Sequence, residues 1–476
     1  MKKFLPILLL IPLLADAQQV QWVSKVIKSS SDLGGKQYSS RRVIGRPDVF
    51  PQGGDSPNAW APKNANDGHD FIEVEFEKLQ TVKQIAIFEN LNTGCFVKVL
   101  AGSGDGKYKE VFRSKTSVTS FDLGKITNTS IAGADRGYYF GRKRRKVSEA
   151  LQVNLKPGVE YANLDEPIEN VKALRVVFNF KMTTGDKQID AIGISDSDQP
   201  IIAEINTTKD LENLPNPEVV FTSKNFFSVD VITKDKLYLS LNEENGLSKI
   251  YSLENVNGKF ENLEVLPASI NKNASYNYLS GIIGDKFIVG GASYQKASKE
   301  CGYYFFKQSG ENFIQEKPLE IVAYNNLQDF SNLSTNTDGS LILMGIESDI
   351  TQGGMDIYYA KVKEDGTYSF LQNLSKTINS ANDEYNPVLC NDGKGILFAS
   401  SGFSSYGGDD LYYSARLDDT WKNWSTPVNL GPKINDVTSQ SSVVYDDLSE
   451  FIYFTTFKDD AYQLCRVKFP KSLFGI

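Results

Sequence analysis

The sequence predicts an all-β protein in two parts, an antiparallel sandwich followed by a β-propeller of five blades, with six as the alternative. Three observations predict it. One long pattern is written twice in the last third of the chain, a turn followed by an apolar run recurs five times at nearly constant spacing, and the first part carries alternating strands with no repeat.

The doubled pattern opens as Gly-Gly-Met-Asp-Ile-Tyr-Tyr at Gly353 and as Gly-Gly-Asp-Asp-Leu-Tyr-Tyr at Gly407, 54 residues on. Each copy continues through an acidic turn to an aromatic residue (Glu364 to Tyr368, Asp418 to Trp421), then Asn373-Leu374 or Asn429-Leu430, then Ile378-Asn379 or Ile434-Asn435. The turn-plus-strand unit starts at Asp235, Asp285, Asp338, Asp392 and Asp447, in steps of 50, 53, 54 and 55 residues. A period in this range, with several short β-type runs per unit, is the mark of radially repeated sheets, each burying its faces against its neighbours. Asp-Gly supplies the positive φ of a tight turn, and the apolar run after it is the strand nearest the middle of a blade. A sixth blade would draw on Ile201 to Val220.

The units from Asp383 to Ser400 and from Gly407 to Tyr413 resemble the WD-like propeller repeats of TolB-type envelope proteins. Pro387, before the Asp392-Gly393 turn, is part of that likeness, and the earlier units lack it.

At the N-terminus, Met1 to Ala17 reads as a secretory signal peptide: Lys2 and Lys3, an apolar core from Phe4 to Leu14, and an Ala15-Asp16-Ala17 cleavage site. No cysteine follows that site as a lipid anchor would need, and no later apolar run is long enough for a spanning helix. The expectation is an exported chain in the periplasm or cell envelope of a Gram-negative bacterium. Its parts are a first domain over 18–198, a linker over 199–216 and a propeller over 217–476. The net charge of −8 argues against nucleic acid as a partner. Cys95, Cys301, Cys390 and Cys465 show no close metal-binding spacing, and buried free thiols are the expectation.

In the first domain Ile72, Val74 and Phe76 alternate with Glu73, Glu75 and Glu77, and Leu174, Val176, Phe178 and Phe180 alternate with Arg175, Val177, Asn179 and Lys181. One face buried and one wet marks an antiparallel sandwich. The landmarks Tyr38-Ser39-Ser40, Ala59-Trp60-Ala61-Pro62, Asp70 to Phe76, Thr81 to Ile87 and Gln188 to Ile194 fall in an order that resembles the discoidin-like, galactose-binding jelly roll, with an insert over 125–155. That resemblance implies a ligand site in the loops carrying Arg46, Asp48, Trp60, Asp67 and His69. The pair of domains is similar to the front part of envelope proteins that end in an OmpA-type domain. Gly45 to Pro51, Gly53 to Pro57 and Asn429 to Asn435 carry that likeness, and the chain stops short of the OmpA-type domain itself.

Chemistry is thinly signalled. His69 is the sole histidine, which excludes a site with two imidazoles and leaves no Ser-His-Asp centre in the propeller. Ala101 to Lys107 is glycine-rich but lacks phosphate-loop spacing, and reads as a hairpin turn. Asp338, Asp356, Asp392, Asp410 and Asp419 recur with the turns, whereas a catalytic pair should be unique. Asp48, Asp55 and Asp196-Ser197-Asp198 offer oxygen ligands for a structural calcium, though acidic turns explain them as well. Arg142, Lys143, Arg144, Arg145 and Lys146 form a basic run beside Tyr138 to Phe140, a contact for a polyanion or a partner protein. The expectation drawn from all this is a non-catalytic envelope scaffold, not an enzyme, docking an envelope protein partner through the propeller and jelly-roll loops. A glycan-binding protein is the alternative, and a glycoside hydrolase or sialidase-like enzyme the second alternative.

Overall fold

The computed structural model describes residues 18–31, 33–64, 69–114, 158–292 and 299–475. The expected signal peptide, Asp67, the insert over 125–155 and the basic run Arg142 to Lys146 lie outside the described residues, as does the side chain of His69.

The first domain is one seven-stranded sheet bent over itself into a sandwich. Its strands are β1 (Val20–Trp22), β2 (Lys25–Ser29), β3 (His69–Leu91), β4 (Phe96–Gly102), β5 (Lys109–Arg113), β6 (Gly158–Asn179) and β7 (Gln188–Ser195). Strands β3 and β6 are long enough to serve both layers, and their pairing slips at three places between Glu75 and Gln84, where extra residues let the sheet turn the corner. The predicted alternation holds. Ile72, Val74, Phe76, Leu174, Val176 and Phe178 are fully buried in one core, while outside it Arg175 pairs with Glu73 at 3.3 Å.

The propeller has five blades, which settles the count. Blade 1 holds β9 (Phe227–Ile232), β10 (Lys236–Asn242), β11 (Ser248–Val256) and β12 (Lys259–Val265), and blade 2 holds β13 (Tyr278–Ile283), β14 (Lys286–Gly290), β15 (Tyr304–Ser309) and β16 (Asn312–Pro318). Blade 3 holds β17 (Asn332–Thr335), β18 (Leu341–Ile346), β19 (Asp356–Lys361) and β20 (Gln372–Asn373), and blade 4 holds β21 (Glu384–Cys390), β22 (Gly395–Ser400), β23 (Asp410–Ala415) and β24 (Val428–Asn429). Blade 5 takes β25 (Val443–Asp446), β26 (Phe451–Lys458) and β27 (Ala461–Lys468) from the C-terminal end. Its outer strand is β8 (Glu218–Ser223), so the ring closes by pairing the two ends of the propeller. The stretch that would have fed a sixth blade supplies this closing strand instead. Before it, the segment after the sandwich packs onto the propeller, with Leu211 and Leu214 buried in the core of blades 4 and 5.

The recurring apolar runs are the second strand of each blade, and their turns carry the positive φ predicted at Gly339 (71°) and Gly393 (75°). The repeat in the sequence has a physical cause. Asp410 accepts from Tyr406 N (2.7 Å) and from Asn429 Nδ2 (2.7 Å), and Asn435 holds Leu411 by both its amide groups while donating to Asn429 Oδ1 (2.8 Å). Asp356, Asn373 and Asn379 build the same clasp one blade earlier. Asn271 bonds Ile250 in the same way in blade 1, a copy the sequence reading passed over. Each clasp satisfies buried backbone groups that the pleated ladder leaves open. All four cysteines are buried free thiols.

Candidate functional site: the axial cavity

Five inner strands, β9, β13, β17, β21 and β25, surround the propeller axis, and three of them carry a bulge at the same level. In β9, Val229 and Val231 pair with consecutive residues of β10, which leaves Asp230 as the extra residue. In β13, Leu279 and Gly281 leave Ser280 in that position, and in β21 Asn386 and Pro387 together face Phe398. A bulge re-aims its side chain out of the sheet. Asp230, Ser280 and Asn386 all line one cavity of about 210 Å³, at the end of the ring where the inner strands begin.

Hydrogen bonds around this cavity join every pair of neighbouring blades. Asp230 accepts from Leu279 N (3.0 Å) between blades 1 and 2, and Tyr278 Oη donates to Ser331 O (3.1 Å) between 2 and 3. Asn386 N donates to Asn332 Oδ1 (2.9 Å) between 3 and 4, and Asn386 Nδ2 to Ser441 O (2.6 Å) between 4 and 5. Val229 N donates to Ser442 Oγ (3.1 Å) and closes the circle. The wall is therefore stiff and polar, with bonds spanning elements distant in sequence.

Two carboxylates line it. Asp230 also accepts from Ser228 Oγ (2.8 Å) and Ser240 Oγ, yet burial dominates and pushes its carboxyl up to about 7. Asp329, in the segment before β17, has a buried Oδ1 that no donor among the described residues reaches. Phe226, Tyr276 and Tyr278 add aromatic surface, and no lysine, arginine or histidine among the described residues lines the cavity. The arrangement can hold a small polar ligand between one carboxyl that keeps its proton near neutrality and one free acceptor.

Of the residues expected to bind ligand in the sandwich, Trp60 and Asp48 are engaged in the interior. Trp60 is fully buried, edge-on to Phe178 (5.7 Å) and Phe180 (6.2 Å), with Nε1 donating to Ser31 O (2.9 Å). It is core, not a sugar platform, because the turn before it tucks the indole between the layers. Asp48 faces Asp190 in the interior, and the two carboxyls share hydrogen bonding with the 48–50 backbone. Burial and mutual repulsion drive Asp48 well above the usual carboxylate range, and burial raises Asp190 as well. Arg46 is exposed, and His69 opens β3 opposite Asn179.

The loops around these residues dock on the propeller. Asn58 Nδ2 donates to Gly402 O (2.8 Å), Gln52 Nε2 to Tyr406 O (2.6 Å) and Gln37 Nε2 to Ala381 O (3.1 Å), while Ala381 N donates to Asn58 Oδ1 (2.8 Å). These propeller segments precede or follow strands at the same end of the ring as the axial cavity, so the sandwich stands beside its mouth on the side of blades 3 and 4. Asp55 accepts from Gln188 Nε2 and Asp196 from Gln19 N (2.9 Å), and no cluster of metal-ligating groups occurs among the described residues.

Of the recurrent acids, Asp356 and Asp410 sit in the clasps described above, and Asp392 and Asp419 pair with Lys471 (2.9 Å) and Arg416 (2.8 Å) at the surface. Sequence reasoning passed over Asp230 and Asp329. Asp230 did carry a signal, as the one charge in the inner-strand run Phe227 to Ile232; Asp329, in an irregular segment, carried none.

No family model matches the chain, and no curated protein sequence does. Among solved structures, it is similar to the family 32 carbohydrate-binding module of Streptococcus pneumoniae EndoD at 10% identity, covering 37% of this chain and 99% of that one, with a TM-score of 0.23. It is similar also to the endo-arabinase of Bacteroides thetaiotaomicron VPI-5482 at 12% identity, covering 53% and 98%, TM-score 0.35. A third is the α-L-arabinofuranosidase of Lactobacillus brevis at 11% identity, covering 52% and 91%, TM-score 0.33. At these values the likeness is one of fold alone. The expectation of a non-catalytic scaffold, and with it that of no enzymatic activity, is corrected at this point. The solved structures to which the chain is similar include this arabinofuranosidase and endo-arabinase. The propeller's axis also carries a cavity lined by Asp230 and Asp329, neither of which belongs to the recurrent acids of the turns.

Proposed function

We propose that the protein is a glycoside hydrolase acting in the axial cavity of its propeller. The observation that carries this reading is the meeting of Asp230 and Asp329 in one polar cavity, with the Asp230 carboxyl raised to about 7. Two carboxyl groups in different environments are what glycosidic cleavage uses. Asp230, protonated near neutrality, gives its proton to the glycosidic oxygen as the bond from that oxygen to the anomeric carbon breaks. Asp329, through its free Oδ1, takes a proton from the water that attacks the same carbon. The products are a free sugar and a free alcohol, with one water consumed. The cavity, at about 210 Å³, is below the roughly 300–1,000 Å³ of sites for larger ligands and suits a single sugar ring.

The test is release of the aryl group from a panel of nitrophenyl glycosides by wild type, D230N and D329N. Each variant should lose about 10²–10⁴-fold in rate, and activity should fall as pH rises through about 7 as Asp230 gives up its proton. Full activity in D230N would defeat the reading. Glycan binding without cleavage is the second reading, favoured by the three donors that already engage Asp230. Export to the envelope, carried by the Met1 to Ala17 pattern and the TolB-type look of the repeats, belongs to the same proposal. N-terminal sequencing of the exported protein tests it.

A further inference from the structure

We propose that the axial cavity selects a sugar residue bearing a protonated amine and rejects acidic sugars. The inference rests on the reading of the cavity as a glycan site and names the class of sugar. Its walls hold two acidic side chains, Asp329 and the Asp230 that keeps its proton near neutrality, and no lysine, arginine or histidine among the described residues. One carboxylate oxygen, Asp329 Oδ1, is buried with no donor among the described residues. A concave site whose ionisable lining is acidic and includes no base favours a cation over an anion. An ammonium group entering that site gains charge-assisted hydrogen bonding from an acceptor that a hydroxyl would use less strongly. Phe226, Tyr276 and Tyr278 line the same cavity, and aromatic faces attract a cation where they would gain nothing from an anion. Acidic sugars meet the opposite conditions. A carboxylate ligand would enter beside Asp329 with no guanidinium or ammonium to receive it, which removes the sialidase-like alternative as well.

The shared chemistry is a primary ammonium, and it has two sources, an amino sugar or an alkyl amine such as a lysine side chain. Titration calorimetry with the wild-type mature protein separates them, using glucosamine, N-acetylglucosamine, glucose, glucuronate and butylamine. Glucosamine should bind at least tenfold more tightly than N-acetylglucosamine or glucose, and glucuronate should give no heat. Butylamine should bind at least tenfold more weakly than glucosamine; equal binding would overturn the sugar as the source. In D329N the preference for glucosamine over N-acetylglucosamine should shrink toward unity, while the wild-type ranking stands by itself should that variant fold poorly. Equal binding of glucose and glucosamine, measurable binding of glucuronate, or no binding by any of the five would overturn the proposal. Turnover of neutral aryl glycosides that glucosamine does not inhibit would defeat this selection and leave the hydrolase reading standing. Glucosamine binding with no turnover of any glycoside would do the reverse.

Discussion

Asn58 of the sandwich and Ala381 of the propeller, 323 residues apart in the chain, meet in a buried hydrogen bond of 2.8 Å, and the same side chain donates onward to Gly402 O at 2.8 Å. One amide thus fastens the first domain to two loops of blade 4. Unpaired, both propeller groups would remain buried without partners. N58A should therefore lower the stability of the whole chain by roughly 2–4 kcal/mol, read as a shifted urea midpoint. A midpoint within error of wild type would mean that the docked arrangement does not persist in solution.

Trp60 belongs to the core, and its replacement should behave accordingly. W60A should cost about 3–5 kcal/mol, while W60F should keep most of the stability. If W60A instead folded normally and lost only sugar affinity, the burial of the indole would be wrong.

The clasp asparagines should rank by their bonding. N435A removes three bonds of 2.8 to 2.9 Å from a fully buried side chain and should cost about 2–3 kcal/mol, whereas N271A removes bonds of 2.8, 2.9 and 3.4 Å from a half-buried one and should cost less. Thermal melts of the two variants decide it, and the reverse order would argue that the repeat reflects something besides these bonds.

Several buried carboxyls hold their protons in the folded state. Burial raises Glu89 and Glu384 to about 8 and Asp230 and Asp410 to about 7, against 4.5 for glutamate and 3.8 for aspartate in the open chain. Between those values the folded chain binds more protons than the unfolded one. The contribution of these groups is therefore complete below about pH 4 and is lost as pH rises through 7 to 8. Melting temperature should fall between pH 5.5 and 8.5, and E384Q, which carries no proton to lose, should flatten that fall. A melting temperature that rises across this interval would contradict the buried, protonated state.

Ring closure depends on β8. A chain starting at Lys224 lacks the strand that pairs Glu218 to Ser223 with β27, and so bares the edge of blade 5. Size-exclusion chromatography should show self-association of that chain at concentrations where the full protein runs as a single species.

Much of the fold was legible because its signals are local. The Asp338-Gly339 and Asp392-Gly393 turns, the apolar runs behind them and the Gly353 and Gly407 motifs each depend on a few neighbouring residues, and the period of the copies announces the ring. The closing strand was not legible, since Glu218 to Ser223 reads as an ordinary edge strand and only the unpaired side of β27 recruits it. The sandwich was visible in the alternation from Ile72 to Phe76. The fate of its loops was not, because the polar residues that could hold a ligand, such as Asn58 and Gln52, can equally hold another domain.

By itself, then, the amino-acid sequence determined the strands, the turns, the repeating unit and the two-part division, all of which follow from residue spacing over short distances, while the choice of five blades over six fell to ring closure by β8. The site was decided by the tertiary structure. Asp230 and Asp329 stand in different blades, follow no shared motif, and acquire a common environment only when five inner strands close around an axis. Burial in that cavity, a property of the closed ring and not of either residue, raises the carboxyl of Asp230 and leaves an oxygen of Asp329 without a partner.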